Sequence, residues 1–384
     1  MSPLRRAALA WALAPSAWAA AAVSTSDTLA DDDTVSPRRT LRFPRDHGAH
    51  PGAGIEWWYA TGWLATSAAG GAGSAQDLVG FQLTFFRSRT GLALTLPGRL
   101  APRQLLFGHA ALTWPARGGH RHAQRHARWS GEAPAGGVAT AAGPQASTRD
   151  TRLRLGPWQL DRGADGAYTA RLAAPETGFT LVLRMAPTQP LLLQGEAGWS
   201  LKAPPAHASH YYSQPQLDTQ ARVTVDGRES TLQGRAWLDH EWSDGLMPPQ
   251  AVGWDWIGIN LADGGALMAF VLRTADGRAV HAGGSHRPAG GAVRAFAAGE
   301  VAFEPLRQWT SPATGAHYPV RWRIDTPVGR FELEALLDAQ ELDSRGSTGA
   351  VYWEGLSELR DTAGRRVGLG YLEMTGRGSA LRLG

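Results

Sequence analysis

An all-β protein made of two antiparallel barrels in tandem is what the sequence predicts, on three observations. Turn formers are abundant, with 47 Gly and 24 Pro, while the apolar runs are short and alternating, the pattern of many strands joined by tight turns. The length of 384 residues exceeds what one hydrophobic core usually organises, and a prior of roughly 150 residues per domain gives two or three domains. A hairpin also recurs. Ile55 to Leu64 leads through a Gly/Ala/Ser loop at 65–76 to Val79 to Arg87, and Trp254 to Leu261 leads through Asp263-Gly264 to Ala266 to Arg273. Superposed, Trp57 falls on Trp254, Tyr59 on Trp256, Leu64 on Leu261 and Arg87 on Arg273. A repeat of about 190 residues is too long for a solenoid and reads as a duplicated domain. The division expected is 41–235 and 236–384.

The N-terminus reads as an address. Arg5 and Arg6 precede an apolar stretch, Ala7 to Trp18, too short to span a bilayer, and Ala17-Trp18-Ala19 fits the small-x-small rule for signal-peptide cleavage. Residues 1–19 are therefore expected to be a removed export signal; the paired arginines also suit a twin-arginine signal. Residues 20–40, with Asp31-Asp32-Asp33, read as a solvated leader, and Leu41 to His47 as an opening strand. No later window reaches the ~20 apolar residues of a membrane span, so a periplasmic or secreted protein is expected. Formal net charge is only +4 and the arginines are scattered singly, which argues against nucleic acid as a partner. The absence of cysteine excludes disulfides, thiolate metal sites and a Cys nucleophile.

The chain is organised around Ala236-Trp237-Leu238-Asp239-His240-Glu241-Trp242-Ser243-Asp244, followed at once by Gly253-Trp254-Asp255-Trp256. Acids and a histidine hemmed in by tryptophan are costly to bury unless each finds a partner, so the cluster marks a polar network or a working site. Strand alternation puts Asp255 on the side of Ile257 and Ile259, and Trp254 and Trp256 on the other. His120, His122 and His126 read as a solvated basic loop more readily than as a zinc site. Residues 130–148 read as a mobile insertion. His207 to Ser213 reads as extended, with His210 and Tyr212 as hydrogen-bonding groups or, equally, as part of a satisfied core. No metal or other cofactor is expected.

Seven segments carry a resemblance: Glu56 to Tyr59, Gly80 to Arg87, Ser209 to Ser213, Trp237 to Trp242, Gly253 to Trp256, Tyr352 to Gly355 and Gly370 to Gly376. In this order they resemble the AttH-like and carotenoid 1,2-hydratase family, from about residue 41 to the end. The resemblance implies two tandem lipocalin-like barrels, often described as secreted hydrolases, with apolar ligands; relatives act on isoprenoids or on polyenes in cyclisation chemistry. In the hydratases a segment like Asp239-His240-Glu241-Trp242 is joined by an acid on a later strand that protonates a terminal double bond. The matching strand here, Ala266 to Leu272, offers Met268 and Phe270 but no acid.

For hydration or hydrolysis, Asp255 or Glu241 is then the candidate general acid, with Asp239 as a substitute, and His240 would orient water. Trp242, Trp254 and Trp256 would stabilise positive charge through their ring faces. Glu56, Trp58, Tyr59, Gln82, His210 and Tyr212 join these indoles as candidate ligand-binding residues. A Ser-His-Asp hydrolase is disfavoured, since no Gly-x-Ser-x-Gly elbow occurs. A structural alternative pairs Glu56 with Arg87, and Asp239 or Glu241 with Arg235 or Arg273, as a plug where the domains meet. Two classes follow: an exported carrier of an extended apolar ligand, compatible with a place beside a membrane export system, or a hydratase or hydrolase acting on that ligand. A cavity with every acid paired to arginine would favour the carrier.

Overall fold

A computed structural model describes residues 33–65, 74–91, 103–129, 143–204 and 207–378. The export signal, most of the 20–40 leader, most of the loop at 65–76 and most of the insertion at 130–148 lie outside the described residues. The first unit contains β1 (Ile55–Ala65), β2 (Leu78–Arg89), β3 (Gln104–Trp114), β4 (Gly119–Trp129), β5 (Gln145–Ala146), β6 (Arg152–Leu155), β7 (Trp158–Arg162), β8 (Tyr168–Ala174), β9 (Phe179–Ala186), β10 (Leu192–Leu193), β11 (Trp199–Ala203), β12 (His207–Val225) and β13 (Arg228–Ser243). The second contains β14 (Gly253–Leu261), β15 (Ala266–Arg273), β16 (Ala279–Arg287), β17 (Arg294–Ala295), β18 (Ala302–Thr310), β19 (His317–Thr326), β20 (Gly329–Ala335), β21 (Glu341–Ser344), β22 (Ala350–Arg360) and β23 (Arg366–Met374).

Both sheets are wound the same way. The first runs β4-β3-β2-β1-β13-β12-β9-β8-β7-β6-β5 and the second β17-β16-β15-β14-β23-β22-β20-β19-β18. In each, a meander of four strands is followed by a return in which the last strand, β13 or β23, closes on the first. The hairpins superpose as the sequence predicts: Trp57 faces Phe86 across its ladder, Trp254 faces Leu272, and Glu56 and Gly253 face the equivalent arginines, Arg87 and Arg273. These are two tandem lipocalin-like antiparallel barrels.

Their interiors are packed. In β1 the residues Trp58, Ala60 and Leu64 point inward to meet Phe81, Leu83, Leu112, Tyr168, Leu181 and Leu238. Opposite walls approach closely: a Cβ on Gly108 of β3 would stand 3.0 Å from the Trp158 ring of β7. In the second barrel Ile257, Ile259, Val320, Ile324, Trp353 and Leu372 do the same. Large side chains thus fill the interior of both units.

The outer faces of the central strands are buried as well. Tyr59, Tyr211, Trp237, Trp256, Met268, Phe270, Leu356 and Tyr371 form a third apolar cluster, contributed by both barrels. Gly80 makes the approach possible, since a Cβ there would lie 2.7 Å from the Tyr371 hydroxyl and 2.9 Å from Leu356 Cβ.

Four local expectations are corrected. Residues 41–47 are not a strand; Arg45–His47 form a short 3-10 turn, into which Asp46 is drawn by Arg39 and the Arg42 amide. The leader is not solvated throughout: Asp33 is buried and holds Arg45 and the Gly52 amide. His120, His122 and His126 stand on β4, paired along the full length of β3. The proposed division at residue 235 falls inside β13; the sheets separate between Ser243 and Gly253.

Candidate active site

Because side chains alternate along a strand, one face of each central strand turns away from its own barrel toward the other one. From the first barrel Trp57, Tyr59, Phe86, Tyr211, Asp239 and Glu241 face this space. From the second come Trp254, Trp256, Phe270, Tyr352, Glu354 and Glu373. The cleft they enclose, counted out to its mouth, is about 1120 Å3. Its two walls are equivalent surfaces. Tyr59 pairs with Asp239 as Trp256 pairs with Glu373, and those acids pair in turn with Ser213 and Glu354.

Asp239 accepts from Ser213 Oγ at 2.6 Å, Tyr211 Oη at 2.7 Å and Trp237 Nε1 at 2.7 Å. All three donors are neutral. Burial raises its pKa to about 7, opposed by those bonds and reinforced by the charge of Glu241. Glu241 takes a bond from Ser209 and the Lys202 ammonium at 2.9 Å; that ammonium also lies over the rings of Tyr211 and Phe270.

Glu354 and Glu373 are direct neighbours across β22 and β23. Burial raises Glu373 to about 8, against a hydrogen bond from Trp254 and with the charges of Asp239 and Glu241 adding to the rise. Burial and then the carboxylate of Glu373 push Glu354 well above the usual range. The pair therefore carries protons near neutrality. The Tyr59 hydroxyl bears on Glu354, yet both that hydroxyl and Glu354 Oε2 are buried without a hydrogen-bond partner.

His240 and Asp255 do not belong to this cleft. His240 points into the first barrel, in a plug centred on Glu56. His240 Nε2 and His50 Nδ1 approach Glu56 Oε1 at 2.9 and 2.7 Å, and Arg87 Nε donates to Oε2 at 3.0 Å. Burial would raise Glu56, but the charges of His50 and Arg87 and the histidine bonds hold it well below its usual range. Tyr212 bridges His47 and His240, Trp58 stacks on His240, and Trp242 stacks on His50. His210 accepts from the Ser36 amide. Asp255 lies inside the second barrel, bound by Arg273 at 3.1 Å and Arg377 at 2.6 Å.

Glu56, Trp58, His210, Tyr212, His240 and Trp242 are thus brought together, but as a filled plug. Tyr59, Trp254, Trp256, Asp239 and Glu241 are brought together at the cleft. Gln82 sits beside them on β2, bonded to Thr84. The pairing of Glu56 with Arg87 is present, whereas Arg235 and Arg273 take Asp218 and Asp255 and leave Asp239 and Glu241 without arginine. Ligand atoms of His50, Glu56 and His240 lie within 4.8 Å of one another. They do not suit a cation, because Arg87 already occupies Glu56 and both ring nitrogens of His50 face carboxylates, Asp46 and Glu56. With Arg87 already on Glu56 and Arg39 on Asp46, a dication there would leave buried positive charge uncompensated.

Sequence reasoning missed Lys202, Ser209, Tyr211, His109, Tyr352, Glu354 and Glu373. Extending the repeat from the first hairpin to the closing strands was the available signal. It sets Glu373 on Asp239 and Tyr352 on Tyr211. Ala266 to Leu272 carries no acid, whereas β22 and β23 place Glu354 and Glu373 side by side.

Fold and cleft define a class: paired lipocalin-like barrels that share an aromatic cleft lined with acids. Within that class the chain belongs to the AttH-like family, whose model matches residues 34–377. It is similar to the AttH candidate of Nitrosomonas europaea, with 42% identity, 90% of this chain and 99% of that one covered, and a TM-score of 0.78. The kievitone hydratase of Nectria haematococca has the same fold at 14% identity, with 89% of this chain and 95% of that one covered and a TM-score of 0.62. No curated protein matches the sequence.

Proposed function

We propose that the protein adds water across a carbon–carbon double bond of an extended apolar ligand held between the barrels, or removes water from the corresponding alcohol to form that bond. The observation that carries this reading is the Glu354–Glu373 pair, one acid buried and the other half-buried in an aromatic cleft, supplied with protons rather than with a cation. A carrier needs no such pair, and the arginine-neutralised acids expected of one are found at Glu56 and Asp255, away from the cleft. One of the paired carboxyls protonates one alkene carbon, and the faces of Trp57, Trp254 and Trp256 stabilise the cation at the other. Water adds to that carbon, and the proton it loses returns to the carboxylate pair. The likeness to kievitone hydratase supports the reading at the level of fold.

The test is incubation of the full chain with kievitone and a panel of isoprenoid alkenes in oxygen-18 water, read by mass spectrometry. Incorporation of labelled water, lost in Glu373→Gln by at least about 100-fold, is expected. Binding of these compounds without any label, in wild type and variant alike, would leave a carrier instead. Export through the N-terminal signal, and a place beside a membrane export system, are proposed on the same footing, from the sequence of residues 1–19.

A further inference from the structure

One wall of the cleft holds a hydrogen-bond chain whose direction can be deduced. Gln124 Nε2 donates to the Asp343 carbonyl at 3.1 Å, which fixes the orientation of its amide. Gln124 Oε1 then accepts from Ser347 Oγ at 2.5 Å. With its only hydrogen committed, Ser347 can meet His109 Nε2, 3.0 Å away, only as an acceptor. Nε2 therefore carries the ring hydrogen. Burial lowers the His109 pKa to about 3, with the charge of His122 adding to the effect, so the ring is neutral and Nδ1 is bare. Tyr352 Oη, 2.5 Å from Nδ1, must donate to it.

The consequence concerns what Tyr352 offers the cleft. Its hydrogen is used, so toward the cleft, which Tyr352 lines, its hydroxyl has only lone pairs to present. Two residues along the same face stands Glu354, whose Oε2 is buried and without a partner. The equivalent tyrosine of the first barrel, Tyr211, is spent on both sides, donating to Asp239 and accepting from Trp256 Nε1 at 3.2 Å. Tyr352 Oη is thus an obligate acceptor standing near the acid pair.

We infer that Tyr352 is the seat of a hydroxyl, so that the ligand is an alcohol, or the alkene from which that alcohol is formed, with its hydroxyl donating to Tyr352 Oη. This rests on the hydration reading and deepens it, since the seat of the product hydroxyl is where the added water would stand. His109 is a positioning residue acting through Tyr352.

The test measures binding of α-terpineol, its methyl ether and limonene to the full chain by calorimetry. The alcohol is expected to bind about tenfold or more tighter than the ether, which cannot donate. Tyr352→Phe should erase that preference. His109→Leu should erase it differently, by tightening the ether, because a freed Tyr352 hydroxyl can donate to it; a merely structural role for His109 would weaken all three probes alike. Histidine ring nitrogen NMR of the wild type should show His109 as the Nε2–H tautomer. Equal affinity for alcohol and ether, or the Nδ1–H tautomer, overturns the inference and leaves the hydration reading standing. Failure of all three probes to bind overturns both.

Discussion

Glu373 and Asp239 stand at matching positions of the two barrels, Asp239 buried and Glu373 half-buried, and both are raised, to about 7 and about 8. A group whose folded pKa exceeds its unfolded value contributes most below the unfolded value and loses that contribution as pH rises through the folded one. For Glu373 the window runs from its ordinary 4.5 to about 8. Glu56 acts in the opposite sense: its pKa is depressed when folded, so its contribution is present above 4.5 and lost below. Thermal unfolding followed from acid to about pH 9 should therefore show a stability maximum on the acidic side of neutrality, falling toward alkali. Glu373→Gln should flatten the alkaline limb, raising Tm there by several degrees, on the order expected for a domain of this size. An unchanged alkaline limb would show that this carboxyl is not desolvated in solution.

At the scale of the strand, legibility depended on which faces are buried. The hairpins were readable because Trp-x-Trp, alternating apolar residues and Asp263-Gly264 all point to the same local structure. Which face of β13 or β14 looks into a barrel was not readable, since in β14 and in Ala236 to Ser243 of β13 both faces are largely buried and each mixes apolar with polar residues. Asp255 and Trp254 are neighbours in sequence yet serve a barrel interior and the cleft respectively, and only the packing of the second barrel decides which does which. Glu354 and Glu373 were legible as members of segments that carry the family resemblance and illegible as a pair, because their adjacency is created by the ladder between β22 and β23. Gly80 gives this scale its prediction. Gly80→Leu drives a side chain into Leu356 and Tyr371 and should cost about 1–3 kcal/mol in chemical denaturation. No loss would mean that the barrels do not touch along β2.

For the molecule as a whole, the relation of the two barrels decides how far each half stands alone. Each has its own filled interior, yet each buries Tyr59, Tyr211 and Trp237, or Trp256, Phe270 and Tyr371, only against the other. Residues 33–243 expressed alone should keep strand content by circular dichroism but expose that face, bind a hydrophobic dye and self-associate. A monomeric, dye-silent first half would contradict the shared seam. The duplicated order was visible in the sequence; its meeting face was not, because nothing in a repeat states which of its surfaces will be matched.

That meeting of equivalent surfaces is how identical subunits pair about a twofold axis, and such a pair must offer the same residue on either side. A single polypeptide carries no such obligation. Ser213 here has become Glu354 in its counterpart position, and one tyrosine is spent on an aspartate while its twin leans on a histidine. Joined end to end, the two copies can differ across a palindromic crevice and give it a left hand and a right hand, one side closed upon itself and the other with an acid oxygen left unmatched.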